Sequence, residues 1–137
     1  VLHFRFLTDG FRDSETKLAE SVNRIHGHAL ANWIAGALSA KGFEVAEPWA
    51  EDHGWDFSIV HNGAKYLCSC SLAEDEDGDQ PVAGPAEGHI VLARPQSLMD
   101  RLRGRNKLTP DEPVAAAIRS ALKANPEVRE PEEDLAA

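Results

Sequence analysis

The sequence predicts an α+β domain: a mainly antiparallel sheet of four to five strands, with a long helix after strand 1 and C-terminal helices packed on one face. Three stretches carry this expectation. Leu2, Phe4 and Phe6 alternate with His3 and Arg5, the period of a half-buried strand. Leu30, Trp33, Ile34, Ala37 and Leu38 recur at helical spacing within Gly27–Lys41. Asn62-Gly63 divides two further alternating runs, and this dipeptide favours a type I′ turn because both central positions need positive φ.

Taken in order, Thr8-Asp9-Gly10 ends the first strand, and the polar residues 11–26 read as a loop with at most a weak helix. The Gly27–Lys41 helix is the main core helix, and Gly42 suits a left-handed cap. Phe43 and Val45 begin a strand that Pro48 interrupts. Counting outward from the Asn62-Gly63 turn pairs His61 with Ala64, Ile59 with Tyr66, Phe57 with Cys68 and Trp55 with Cys70 on one apolar face. The opposite face, with Asp56, Ser58, Leu67 and Ser69, reads as wetter. His89–Ala93 forms another strand, closed by Pro95.

Ser97 caps a short helix that Gly104 stops, with Leu98 and Leu102 facing inward. Thr109-Pro110-Asp111-Glu112 opens a second helix, with Pro110 at its first position and Val114, Ile118, Ala121 and Leu122 as its buried stripe. The expected core is Trp33, Ile34, Leu38, Phe57, Ile59, Tyr66, Ile90, Leu92, Ile118 and Leu122. One domain over residues 1–126 is expected, followed by an acidic, disordered tail over 127–137 with too few large apolar groups to offset its ordering entropy.

The 137 residues suit one core, and 14 Lys and Arg against 23 Asp and Glu leave a net charge of −9. That balance repels polyphosphates, so no nucleic acid is expected as a partner. No apolar run reaches membrane-spanning length. Cys68 and Cys70, one residue apart, read as core thiols in a reducing, cytoplasmic compartment.

Glu47, Glu51, Asp52, His53, Trp55 and Asp56 form the most site-like stretch. Clustered carboxylates beside a histidine can perturb one another's proton affinity, which is the chemistry of an acid/base site. The plainer reading is a polar loop anchored by Trp49 and Trp55. Asp75, Asp77 and Asp79 resemble the opening of a calcium loop, yet Gln80 and Ala86 stand where such a loop needs Gly and Glu. Cys68 and Cys70 lack a second cysteine pair for zinc, and His26 and His28 lack a definite third ligand. No metal or cofactor is therefore expected. Arg101, Arg103, Arg105 and Lys107 make a compact basic stretch suited to a phosphate or acidic partner, or simply to a solvated helix end.

Gly27–Ile34, Gly42-Phe43-Glu44-Val45, Glu47-Pro48 and above all Glu51-Asp52-His53-Gly54-Trp55 resemble a family of small uncharacterised bacterial proteins with a Glu-Asp-x-Gly-Trp motif; Asn125-Pro126-Glu127-Val128 is similar to its C-terminal segment. His53 stands where that family usually has Trp, and Cys68-Ser69-Cys70 where it has a Gly-Cys-Gly-like element. The resemblance implies no activity and assigns no residue a role.

The leading functional expectation is a non-enzymatic protein-binding module. It would present the 47–56 loop and the acidic 73–87 loop to a basic protein, as an immunity-type protein would to a basic toxin. The alternative is an enzyme or small-molecule binder with a pocket near Trp55 that uses Glu51, Asp52 or His53.

Overall fold

The computed structural model describes residues 1–73 and 85–136. Among these residues seven strands form one antiparallel sheet, so the expected four to five strands are too few. They are β1 (Leu2–Thr8), β2 (Glu44–Val45), β3 (Trp49–Glu51), β4 (Gly54–His61), β5 (Ala64–Ala73), β6 (Ala86–Ala93) and β7 (Arg129–Leu135). The order is β2-β4-β5-β6-β1-β7, with β3 also paired to β4. The helices among the described residues are α1 (Glu15–Glu20), α2 (His28–Ala40), α3 (Leu98–Arg103) and α4 (Pro113–Ala124).

One sheet face carries the core, as period-two alternation requires. Phe4, Phe6, Phe57, Ile59, Cys68, Ile90 and Leu92 are buried there with Leu30, Ile34 and Leu38 of α2 and Val114, Ile118 and Leu122 of α4. Each large apolar side chain removed from water contributes about 1.5–3 kcal/mol. Of the expected core, Trp33 alone is only partly buried; it stacks on Phe11 at 5.1 Å between ring centroids. The β4–β5 register matches the one counted from Asn62-Gly63, residue for residue, and Asn62 and Gly63 both have positive φ.

Several expectations need correction. The helix that directly follows β1 is the short α1, capped by Ser14, and the long helix is the second one. α1 is short because Leu18 is its one buried residue, too little for a longer amphipathic helix. α4 begins at Pro113, not Pro110, because Glu112 supplies the cap position and is tied down on three sides. Its carboxylate accepts hydrogen bonds from the Tyr66 hydroxyl (2.7 Å), Arg94 Nη1 (2.8 Å) and the Thr109 N–H (2.7 Å). Burial and this carboxylate push the Tyr66 pKa up to about 12. α3 has the expected Ser97 cap and stops at Gly104 as expected, in the left-handed conformation, but Leu98 and Leu102 face solvent.

The tail is the largest correction, because residues 129–135 form β7 on the edge of β1. All seven are exposed, so hydropathy carries no sign of this strand. The backbone ladder to β1 carries it, and ion pairs flank it: Arg119 makes a two-pronged contact with Glu133 (2.5 and 2.8 Å), Arg5 meets Asp134, and Arg129 reaches Asp9 at 3.0 Å.

Candidate functional site

The stretch read as a loop is a β-hairpin. Pro48 lacks an N–H and breaks the ladder after β2, but pairing resumes with Trp49 opposite Asp56, Ala50 opposite Trp55 and Glu51 opposite Gly54. Asp52 and His53 form the two-residue turn. The pleat puts Trp49, Glu51 and Asp56 on the face away from the helices, while Trp55 enters the core. Gly54 has φ +146°, and a Cβ there would collide with the Cys70 carbonyl oxygen. Only glycine lets this hairpin lie so close to β5.

His53 ties the turn to the strand. Its Nε2 lies 2.7 Å from Asp56 Oδ1 and its Nδ1 lies 3.2 Å from Asp52 Oδ1. Asp56, expected on a wetter face, is buried; the His53 side chain is 53% exposed. The hydrogen bond to Asp56 raises the His53 pKa above its usual 6.5, with smaller contributions from Asp52. Only the imidazolium can donate to both carboxylates, so the cluster favours a proton resident on His53. Both ring nitrogens are thus engaged with carboxylates.

The remaining residues of the expected site divide. Trp49 is 39% exposed, and its indole N–H donates to Glu51 Oε1 at 2.8 Å. Glu47 is exposed in the break before β3 and acts electrostatically on His28. Trp55 lies edge-on to His28 at 4.6 Å, and its indole nitrogen is buried with no hydrogen-bond partner among the described residues. Burial and the Lys17 charge lower the His28 pKa.

Sequence reasoning missed what holds this hairpin to the helices. Asp13 caps α2 from a distance, accepting from Gly27 and His28 N–H (3.0 Å each) and from Ala29 N–H (2.7 Å). Gly27 has no side chain to do so, and a Cβ there would lie 2.5 Å from the Cys70 carbonyl oxygen. His26 Nδ1 accepts from the Asp13 N–H, and Asn23 donates to the Asp52 carbonyl at 2.8 Å. The missing cap at Gly27 was a signal that something must supply one. Asp13 itself gave no local sign.

A second cluster arises from strand pairing alone. His3 Nε2 lies 2.8 Å from His89 Nδ1, and His89 Nε2 lies 3.1 Å from Glu87. Burial lowers the His89 pKa. No group of three or more side chains able to hold a metal exists among the described residues. Cys68 and Cys70 are free and buried, and burial pushes the Cys70 thiol well above its usual pKa, which makes it a poor nucleophile. Asp75, Asp77 and Asp79 lie outside the described residues.

Cavities open elsewhere among the described residues. One of about 770 Å³ lies beside Leu67, Arg101 and Leu108, one of about 400 Å³ beside Lys65 and Arg94, one of about 260 Å³ beside Arg5 and Glu87, and one of about 40 Å³ beside Phe4 and Arg119. None is lined by Glu51, Asp52, His53 or Asp56. No helix among the described residues is long and apolar enough to cross a membrane. No protein-family model, curated protein or solved structure matches the chain.

Proposed function

We propose that the chain is an acidic protein-binding module whose β3–β4 hairpin docks a basic protein, as an immunity-type protein docks a basic toxin. One observation carries the reading: Trp49 stands partly in solvent with its indole N–H held by Glu51, and Glu47 and Asp52, near it in sequence, are exposed. An aromatic face on an acidic turn suits a Lys or Arg side chain, whose charge attracts both. Aromatic anchors with a charged rim are what protein interfaces use, and the net charge of −9 accelerates encounter with a cationic partner. His53 neutralises part of the turn and, with Asp56, fixes its shape.

The test is affinity capture from the host lysate at low and moderate salt, comparing wild type with Glu51→Lys/Asp52→Lys. A stoichiometric basic protein that is released as salt rises and lost in the variant, with the variant's melting midpoint unchanged, supports the reading. Equal retention by the variant removes this hairpin as the docking site.

A further inference from the structure

Charge and exposed apolar surface gather at another part of the molecule, where β1 begins and β6 and β7 end. Leu2 pairs there with Leu92 and Leu135, and Leu67 pairs with Ala93. The cavity of about 770 Å³ opens at this end, lined by Leu67, Leu108, Leu135, Arg101 and Lys107 among others. Seven large apolar residues are exposed among the described residues, and five belong here: Val1 and Leu135 on the lining, and Leu98, Met99 and Leu102 on α3, which also carries Arg101. Exposed apolar residues scattered singly mean little, whereas such a gathering marks an interaction surface.

α3 holds these side chains out in a fixed geometry. Six residues do not sustain a helix in isolation, but Ser97 and Asp100 cap each other's backbone N–H and Gly104 closes the far end in the left-handed conformation. Gln96 donates to the Arg105 carbonyl at 2.7 Å and Arg94 to Asn106 at 3.0 Å, which fastens both flanks. Leu98 and Leu102 nevertheless remain 74% and 73% exposed. Arg101, Arg103 and Lys107 make no ion pair among the described residues, in a chain that is otherwise strongly acidic.

We propose that this cavity and the outer flank of α3 form a docking groove for an acidic amphipathic helix of a partner protein, whose apolar side chains enter the cavity while its carboxylates meet Arg101, Arg103 and Lys107. The charge of the rim selects an anionic occupant. The apolar residues on α3 extend past the cavity, so a metabolite seated inside would leave them uncovered. A concave surface on a net-negative chain suits a helix better than a flat anionic bilayer. This surface is independent of the β3–β4 hairpin and takes the opposite charge.

The experiment is selection against the immobilised full chain from two displayed libraries of amphipathic helices about 16 residues long, roughly four turns. One library carries Asp and Glu on its polar face, the other Lys and Arg. Acidic helices should be enriched, and their affinity should fall about tenfold or more with Arg101→Glu/Lys107→Glu and, separately, with Leu98→Ser/Leu102→Ser, while Glu44→Lys on β2 leaves it unchanged. Enrichment of basic helices alone, no enrichment, or acidic helices indifferent to both α3 variants overturns the proposal. So does preferential binding of phosphatidylglycerol vesicles or decanoate at this site, or self-association abolished by Leu98→Ser/Leu102→Ser.

Discussion

Replacing His53 by Ala removes the partner of a buried carboxylate. The Asp56 side chain is 4% exposed and its Oδ1 sits 2.7 Å from His53 Nε2. Leaving a buried acceptor unpaired costs about 1–3 kcal/mol. The imidazole it pairs with is half exposed, so its removal admits water and holds the loss to about 1–2 kcal/mol, or about 4–7 °C in Tm for a chain of this length. The loss must also depend on pH. The folded pKa of His53 is raised, so its contribution is complete below 6.5 and fades as pH climbs through the raised value. His28 and His89 have lowered pKa values and act with the opposite sign, withdrawing stability as pH falls below 6.5. The difference between wild type and variant cancels those two and isolates His53. Urea unfolding followed by tryptophan fluorescence, at about pH 5.5 and about pH 9 and constant ionic strength, measures that difference. The gap should be wider at the lower pH, and His53→Gln should keep part of the stability with no such pH dependence. A gap that is equal at both pH values, or wider at the higher one, refutes the ion-pair account of the turn.

The same Gly-to-Ala change should act with opposite signs at two positions. Gly54→Ala drives a Cβ into the Cys70 carbonyl at an unfavourable φ and should cost about 2–3 kcal/mol, whereas Gly36→Ala adds a Cβ on α2 with nothing within 4 Å and should stabilise by about 0.5–1 kcal/mol, both read by urea unfolding. Truncation after Val128 removes β7 and bares the β1 edge beside Phe4; a lower Tm and concentration-dependent association by light scattering are expected, and an unchanged monomer with unchanged Tm would show that β7 contributes nothing.

What was legible in the sequence follows from the range of each interaction. Local chemistry was readable: the Asn62-Gly63 turn set the register of the following hairpin, and Ser97 and Gly104 bounded α3. Of the ten residues that apolar periodicity placed in the core, nine are buried, in a core that also takes in Phe4, Phe6 and Leu30. Interactions between distant segments left no local mark. Asp13 caps a helix that begins 15 residues later, and β7 pairs with the distant β1 and meets arginines contributed by β1 and α4. The site residues Glu51, Asp52, His53 and Asp56 did come together, but as a paired turn, because Pro48 interrupts the ladder without ending it. α3 was misjudged since helical spacing of leucines reports which face is apolar, not whether anything covers it.

Sheet register also decides whether the two charged surfaces act on one another. The acidic turn lies beyond Gly54, in line with Ser71, whereas the basic groove lies at the level of Leu67 and on toward β1. Four residues along a strand and three strand spacings across the sheet separate them by about 20 Å. The Debye length at physiological salt is about 8 Å, so exposed charges at that separation are largely screened. Opposite charges on one small domain can then serve two partners without neutralising each other. Groove binding that changed with Glu51→Lys would mean that coupling runs through the packed sheet, since the solvent-screened field is too weak to carry it.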